Sequence, residues 1–198
     1  RNLTGNTNIQ IYGGTVENVY GGGKGGSVTG TTTVNVTIPN TVDASTFNMD
    51  TISGSGTNEE GTALEDNVTG DKTVTIAMKN SNQSGTLELK TLAGFTTLNL
   101  GDENASYNHS IFKVSDRFDS NAQENNVERT GTVNLKHSSL TVNSSKQGHI
   151  GSMVVSGESE LNVYKAESTS PLKVDKTVTV DKGIRLRINA MKDGTEDN

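Results

Sequence analysis

The sequence predicts an all-β fold, a right-handed parallel β-helix (β-solenoid) in which short strands wind round one axis. The first observation is alternation: apolar and polar residues take turns in brief runs, as they do in half-buried strands. The second is spacing, because many of these runs recur about 25 residues apart, the length of one coil containing two or three strands. The third is a glycine-rich segment near the amino terminus, which suits tight turns between stacked strands. Since the sequence shows no comparable helical periodicity, we expect almost no helix.

The alternating runs are spread over the whole chain, so we expect a single domain over residues 1–198 with about six to eight coils. Each run places two or three aliphatic side chains on one face of a strand. The runs are Ile9 and Ile11; Val34, Val36 and Ile38; Val74 and Ile76; Leu87 and Leu89; Leu98 and Leu100; Val133 and Leu135; Leu140 and Val142; Leu161 and Val163; Val178 and Val180; and Ile184, Leu186 and Ile188.

The composition fits closely stacked strands better than a helical bundle. Hydrophobic residues make up 30% of the 198 residues and aromatic residues 4%, so the core must be built from small aliphatic side chains. The absence of cysteine excludes disulfides and cysteine-ligated zinc. A net charge of -6 argues against a nucleic-acid partner. No apolar run reaches the roughly 18 residues of a membrane span, so none is expected.

Two stretches interrupt the alternation, and we expect both to project from the solenoid as insertions. Residues 39–70 contain a Ser-Gly-Ser-Gly run and an acidic pair, and residues 101–130 contain several charged residues around one short apolar run. Loops of this length in a compact fold are often functional. Residues 193–198 are expected to form a frayed tail.

The glycine-rich segment is the most distinctive part of the sequence. Residues 13–36 are GGTVENVYGGGKGGSVTGTTTVNV. This arrangement resembles the repeats of large β-solenoid, adhesin-like surface proteins of Gram-positive bacteria, and more loosely autotransporter passenger domains. The resemblance covers residues 7–38. It implies a β-helix displayed outside the cell, at the cell surface or wall, with a structural or adhesive role and a surface glycan or protein as partner. It transfers no catalytic residue.

Three ligand-binding motifs can be matched in part to the same glycines, but the residues that follow or replace them do not fit any of the three. Gly21, Gly23 and Gly26 match a dinucleotide-binding pattern, yet a strand and turn follow where that motif requires a helix. A phosphate-binding loop would need serine or threonine after Lys24. A calcium-binding β-roll would need aspartate in place of Ser27, because the carboxylate supplies the main charge of the site. We therefore interpret these glycines as structural.

Catalysis is the alternative that the fold class leaves open, because β-helices also form polysaccharide lyases and hydrolases. Such enzymes need clustered carboxylates with a basic or acidic partner. The interpretation we favour is a solvated acidic loop, so we assign no catalytic, cofactor-binding or metal-binding residue, and expect a non-enzymatic structural or adhesive module. The residues that an enzyme would use all lie in the insertion 101–130: Asp116, Arg117 and Asp119, with Asp102, Glu103 and His109 nearby in sequence.

Two further expectations concern isolated histidines and the carboxyl-terminal strand. His109, His137 and His149 are too far apart for a sequence-level metal motif, so each is expected to be an exposed or turn residue. In the last run, Arg185 and Arg187 should point outwards, while Ile184, Leu186 and Ile188 point inwards. An immunoglobulin-like β-sandwich tolerates similar strand patterns, but the glycine triplet and the lack of tryptophan speak against it.

Overall fold

The chain folds almost entirely into short β-strands, as a computed structural model shows for residues 1–39, 41–78, 85–101, 110–143, 146–165 and 171–192. The regular non-strand element in this part of the chain is one 3-10 helix, Ala44–Thr46. The strands are β1 Leu3–Thr4, β2 Thr7–Ile11, β3 Asn18–Tyr20, β4 Val28–Thr29, β5 Thr32–Ile38, β6 Thr51–Ser53, β7 Gly56–Thr57, β8 Leu64–Glu65, β9 Lys72–Met78, β10 Leu87–Ala93, β11 Thr97–Gly101, β12 Ser110–Asp119, β13 Thr132–Lys136, β14 Ser138–Val142, β15 Gly148–Ile150, β16 Ser152–Val155, β17 Ser159–Lys165, β18 Leu172–Val174, β19 Val178–Val180 and β20 Leu186–Lys192.

The strands stack into seven coils. One sheet, which we call face 1, contains β2, β5, β9, β11, β13, β16 and β19 in chain order, so each strand lies on the strand of the coil before it. All pairings in this sheet are parallel. This is the arrangement of a parallel β-helix, which confirms the predicted fold class, while its right-handedness remains a prediction. The β-sandwich alternative is wrong because its sheets would be antiparallel.

The second sheet bends, and the bend divides it into two further faces. In the first coils, the carbonyl of Asp50 accepts hydrogen bonds from the N–H groups of both Lys90 and Thr91, each at 2.9 Å, and this shared acceptor marks the bend. In later coils the two halves are separate strands, β14 then β15 and β17 then β18. Face 2 comprises residues 87–89 and 110–114 with β14, β17 and β20. Face 3 comprises β3, β6, residues 91–93 and 117–119, β15 and β18.

The core consists of aliphatic columns that run along the solenoid axis. Val34, Val74, Leu98 and Val133 occupy one register position on successive strands of face 1, and all four side chains are fully buried. Each position gains by removing apolar surface from water, at about 25 cal/mol per Å². Repeating a small aliphatic side chain at the same register position therefore builds a continuous core from a composition low in hydrophobic residues.

Asparagine and threonine form matching rows on the outside of the coils. The side-chain amide of Asn134 donates to Asn99 at 2.9 Å, and Asn99 donates to the hydroxyl of Thr75 at 3.1 Å. On face 2, Asn189 donates to Asn162 at 2.8 Å. Such ladders link each coil to the next along the axis, which explains why a chain rich in these residues is still well ordered.

The glycine-rich segment forms a corner of the first coils, as its structural interpretation requires. A Cβ on Gly21 would lie 2.6 Å from the carbonyl oxygen of Gly54 in the coil above, so only glycine fits the stacking distance. Gly25 has a φ of +60°, a left-handed conformation that favours glycine.

The predicted insertions are wrong in extent, because both stretches contain strands of the solenoid. Residues 39–70 include β6, which pairs with β3 and β10, and they bring Phe47 and Met49 into the core. Residues 101–130 include β12, the longest strand described. The alternation fails at the bend of the second sheet: buried Leu89 and Leu92 are separated by two residues there, and buried Val114 and Phe118 by three. The segments that do leave the coils are shorter, residues 58–66 and 121–130, because Thr57 and Val68 still pair with the first coil and Ser120 bonds to its neighbours in the stack. The tail 193–198 lies outside the described residues.

The last coil shows the predicted alternation on an uncovered strand. Ile188 is in register with the buried Leu161, yet its side chain is 61% exposed because β20 is the outermost strand of its sheet. Arg187 points outwards as predicted and forms a 3.0 Å ion pair with Glu160. None of the helical structure in the described part of the chain is long and apolar enough to cross a membrane.

Candidate functional site

A groove of about 400 Å³ lies on the outside of face 3. Its floor is a row of side chains at one register position on neighbouring strands: Thr51 of β6, Thr91 of β10 and Arg117 of β12. Strands in a sheet are about 4.8 Å apart, so this row follows the solenoid axis. Tyr20 of β3 lies near the first-coil end of the row, two residues along the strand from Asn18, which is in register with Thr51. We call this feature the face 3 groove.

The two segments that leave the coils form one wall of the groove. The first is the antiparallel hairpin β7–β8, whose turn contributes Ala63. Asn58 closes this turn, because its side-chain oxygen accepts hydrogen bonds from the N–H groups of Thr62 at 2.8 Å and Ala63 at 3.2 Å. The second is the segment after β12, which contributes Gln123 and Glu124.

An ion pair crosses the groove at the end nearer the carboxyl terminus. Lys146 precedes β15, whereas Glu124 follows β12, and their side chains meet at 2.6 Å. Both residues also line a neighbouring cavity of about 330 Å³, together with Arg117. The pair therefore separates two compartments of one longer channel along face 3.

A β-bulge places a carboxylate in the groove. The register between β10 and β12 shifts between Leu89 and Thr91, so that Ser115 and Asp116 of β12 face the single residue Lys90 of β10. A bulge of this kind changes the direction of a side chain. Asp116 thereby lines the groove beside Arg117.

A buried cluster of charged side chains supports the floor. Arg129 forms a two-pronged interaction with Asp119, with hydrogen bonds of 2.8 Å and 2.9 Å, and Arg117 reaches the same carboxylate at 3.2 Å. All three side chains are at most 9% exposed. Arg117 also donates to the carbonyls of Ala122 at 2.7 Å and Asn121 at 3.0 Å. The cluster therefore ties the loop after β12 to the coil and fixes Arg117 in the floor.

A second buried interaction connects the next two coils to this cluster. The carboxylate of Asp175 accepts a hydrogen bond from the backbone N–H of Arg129 at 2.6 Å and contacts the Nε2 of His149 at 2.7 Å and the Nζ of Lys173 at 3.3 Å. The pKa of Asp175 is lowered from its ordinary 3.8 to about 2, first of all by the Arg129 N–H bond, with burial opposing the shift and His149 and Lys173 contributing to it.

The low pKa of Asp175 predicts acid sensitivity. A carboxylate whose pKa is lower in the folded state than its ordinary 3.8 stabilises the fold above about pH 4, and this contribution is lost as the pH falls towards 2. D175N keeps an acceptor for the Arg129 N–H but cannot ionise. Chemical denaturation between pH 5 and pH 2 should therefore show a steeper loss of stability in the wild type, by up to about one proton bound on unfolding. Equal slopes in the two proteins would contradict this.

The residues predicted for an enzymatic site are only partly brought together. Asp116 and Arg117 line the face 3 groove with Glu124, while Asp119 lies two residues further along β12, paired with two arginines, and lines the neighbouring cavity. The candidates Asp102, Glu103 and His109 lie outside the described residues. The prediction that Asp119 belongs to a solvated loop is wrong. Asp119 is the last residue of β12, and its side chain is buried.

The histidine predictions have different outcomes. His137 occupies the tight turn between β13 and β14 with a φ of +52°, as expected of a turn residue. His149 instead lies within β15, and its side chain is 14% exposed, so the expectation of an exposed or turn residue is wrong for it. Its partner Asp175 is 26 residues further along the chain. This separation is the length of one coil, so the coil spacing could have predicted from the sequence that His149 and Asp175 are neighbours.

The electrostatics of the groove favour the ionised form of Glu124. Lys146, through its hydrogen bond first of all, lowers the pKa of Glu124, and Arg117 acts in the same direction, while burial and Asp116 oppose them. A general acid near neutral pH needs a raised carboxyl pKa, so the arrangement around Glu124 favours a fixed charge. Within the described ranges, no three histidine, aspartate or glutamate side chains are placed to hold a metal ion together.

Comparison with known proteins gives no further guide to the site. No protein-family model, no curated protein and no solved structure matches the chain.

Proposed function

We propose that the chain is a non-enzymatic structural and adhesive module of a secreted or cell-surface bacterial protein. The observation that carries the proposal is the uninterrupted stack of seven coils, with one corner bearing the two segments that wall the face 3 groove. Coils about 4.8 Å apart and bonded to both neighbours make a stiff body. Such a body holds a binding surface in a fixed position.

The extracellular setting is part of the same proposal. It is supported by the resemblance of residues 7–38 to adhesin-like surface proteins of Gram-positive bacteria. The outer rows of asparagine and threonine also support it, because they add uncharged, hydrophilic side chains to the outer surface of the rod.

Binding is assigned to the segments that leave the coils. The turn of the β7–β8 hairpin and the segment after β12 contribute Ala63 and Gln123 to the groove wall, and both residues are exposed. On the outside of faces 1 and 2, rows of polar side chains already bond to one another. A partner therefore finds concave shape and exposed polar groups together at the groove.

An adhesion assay tests the proposal. Beads coated with the chain are applied to bacterial cells, host cells and extracellular-matrix surfaces, and we expect retention on at least one of them. A63W and Q123W, which crowd the groove wall, should reduce retention, whereas T73W on the outside of face 1 should not. Undiminished retention with both wall variants would refute the loop assignment, and the absence of retention on every surface would refute adhesion.

The enzymatic alternative is tested on the same protein. Incubation with polysaccharides, followed by measurement of new reducing ends and of unsaturated uronic acids, should show no product. Product formation that is lost in D116N or E124Q would overturn the non-enzymatic assignment, because these carboxylates are the ones that line the groove.

A further inference from the structure

The lining of the face 3 groove identifies the chemistry of its ligand. The floor and wall combine hydroxyl, amide and charged side chains with apolar groups in similar proportion, among them Leu64 and the ring of Tyr20. An apolar ligand would leave the polar groups without hydrogen-bond partners, at a cost of about 1–3 kcal/mol for each one buried. The ligand must therefore offer donors and acceptors together with apolar faces of its own.

The charges of the groove argue against a polyanion or a polycation. Two acidic side chains, Asp116 and Glu124, are balanced by two basic ones, Arg117 and Lys146. The basic groups are also already engaged, Arg117 by Asp119 and Lys146 by Glu124. A ligand with a high density of one charge would meet like charge and displace existing ion pairs. A neutral ligand meets neither obstacle.

The shape of the groove points to an extended chain. The row Thr51, Thr91 and Arg117 presents one polar side chain per coil along the axis. The channel continues past the Lys146–Glu124 pair into the neighbouring cavity of about 330 Å³. A linear ligand with regularly repeated hydroxyl groups can contact successive coils in an equivalent way.

Tyr20 provides an aromatic surface at one end of this row. Its side chain lines the groove and is only partly buried. A partly exposed ring offers its apolar face to a ligand. The C–H face of a sugar ring is suited to such a surface, while its hydroxyl groups suit the threonine row.

We infer that the face 3 groove binds a neutral, hydroxyl-rich glycan chain lying along the solenoid axis, with Thr51, Thr91 and Arg117 contacting successive sugars and Tyr20 stacking on a terminal one. The inference rests on the proposed adhesive function and specifies the partner of the same groove. Lys146 and Glu124 then form an ion pair that the chain passes beneath and leaves intact.

The experiment is a glycan array carrying neutral glucans, mannans and galactans beside sulfated and uronic-acid polymers, followed by calorimetric titration of the neutral oligosaccharides bound. We expect the wild type to bind neutral members. T91W fills the floor and should weaken binding on the order of tenfold or more, equivalent to about 1.4 kcal/mol. Y20A should weaken it less, since only one contact is lost. T73W is the matched control, because it makes the same change on face 1 of the same coil.

The outcomes separate this inference from the proposed function. Retention of coated beads on cells, combined with no binding to neutral glycans, would overturn the glycan assignment and leave the adhesive module standing. Binding only to sulfated or uronic-acid polymers would also overturn it. Failure of both the beads and the array would overturn both proposals. If T91W and T73W bind alike while thermal melting shows both folded, the groove is not the binding site and the inference is wrong.

Discussion

Replacing Asp119 by alanine is expected to destabilise the fold by about 3–5 kcal/mol, since it leaves two buried arginines without their counter-charge. Arg129 and Arg117 both contact this carboxylate, and each of the three side chains is at most 9% exposed. In addition, the backbone N–H of Asn121 donates to Asp119 at 2.8 Å, so the loop after β12 loses an anchor as well. Chemical denaturation of purified D119A against the wild type measures the difference.

The matched control for D119A is E160A. Glu160 also forms an ion pair with an arginine, Arg187 at 3.0 Å, but that arginine is 62% exposed. Exposed ion pairs contribute about 0–1 kcal/mol. A D119A protein that is no less stable than E160A would show that water, and not Asp119, compensates the two arginines. Such a result would remove the physical basis for treating the cluster as the support of the groove floor.

Replacing Leu140 by alanine is expected to cost about 2–5 kcal/mol. Leu140 lies between Phe112 and Leu161 in one column of face 2, and its side chain is fully buried. The substitution removes apolar contacts with both neighbouring coils and leaves a cavity that a parallel stack cannot easily close, because hydrogen bonds fix the spacing of the strands.

The control for L140A lies at the end of the same column. Ile188 is in register with Leu161 but is 61% exposed, so I188A should cost less than about 1 kcal/mol. The two substitutions remove a similar amount of side chain at the same register position. The difference between their denaturation curves therefore measures the effect of burial. Similar losses of stability in both would mean that the terminal strand is covered in solution, contrary to its exposure here.

The sequence was sufficient to predict the aliphatic columns of the core, but it did not predict the strands at the bend of the second sheet. The predicted aliphatic runs that fall on face 1 all lie in strands of that sheet, because a straight strand keeps its period of two. Where the sheet turns from face 2 to face 3, Leu92 and Phe118 fall out of that period, and all of β12, like β6, lies in a stretch predicted to be an insertion. A strand cannot be followed through a bend by its period of two, because buried and exposed side chains no longer alternate there.

The candidate site was found only in part for a related reason. Asp116, Arg117 and Asp119 were singled out from the sequence by their charge, but Thr51, Thr91 and Tyr20 carry no such distinction. They are three among many similar residues, and only the stacking of four coils places them in one groove. His149 and Asp175 likewise look unrelated until one coil of chain brings them within 2.7 Å.

What the sequence determined by itself is the class of fold, since alternation and coil-length spacing are properties of neighbouring residues that depend on no distant contact. Tertiary structure alone decided where the solenoid bends, which segments leave it, and which polar side chains meet on its outer surface. The reason is physical: a groove is made by side chains from different coils, and their relative positions follow from the register of strands that are far apart in the chain.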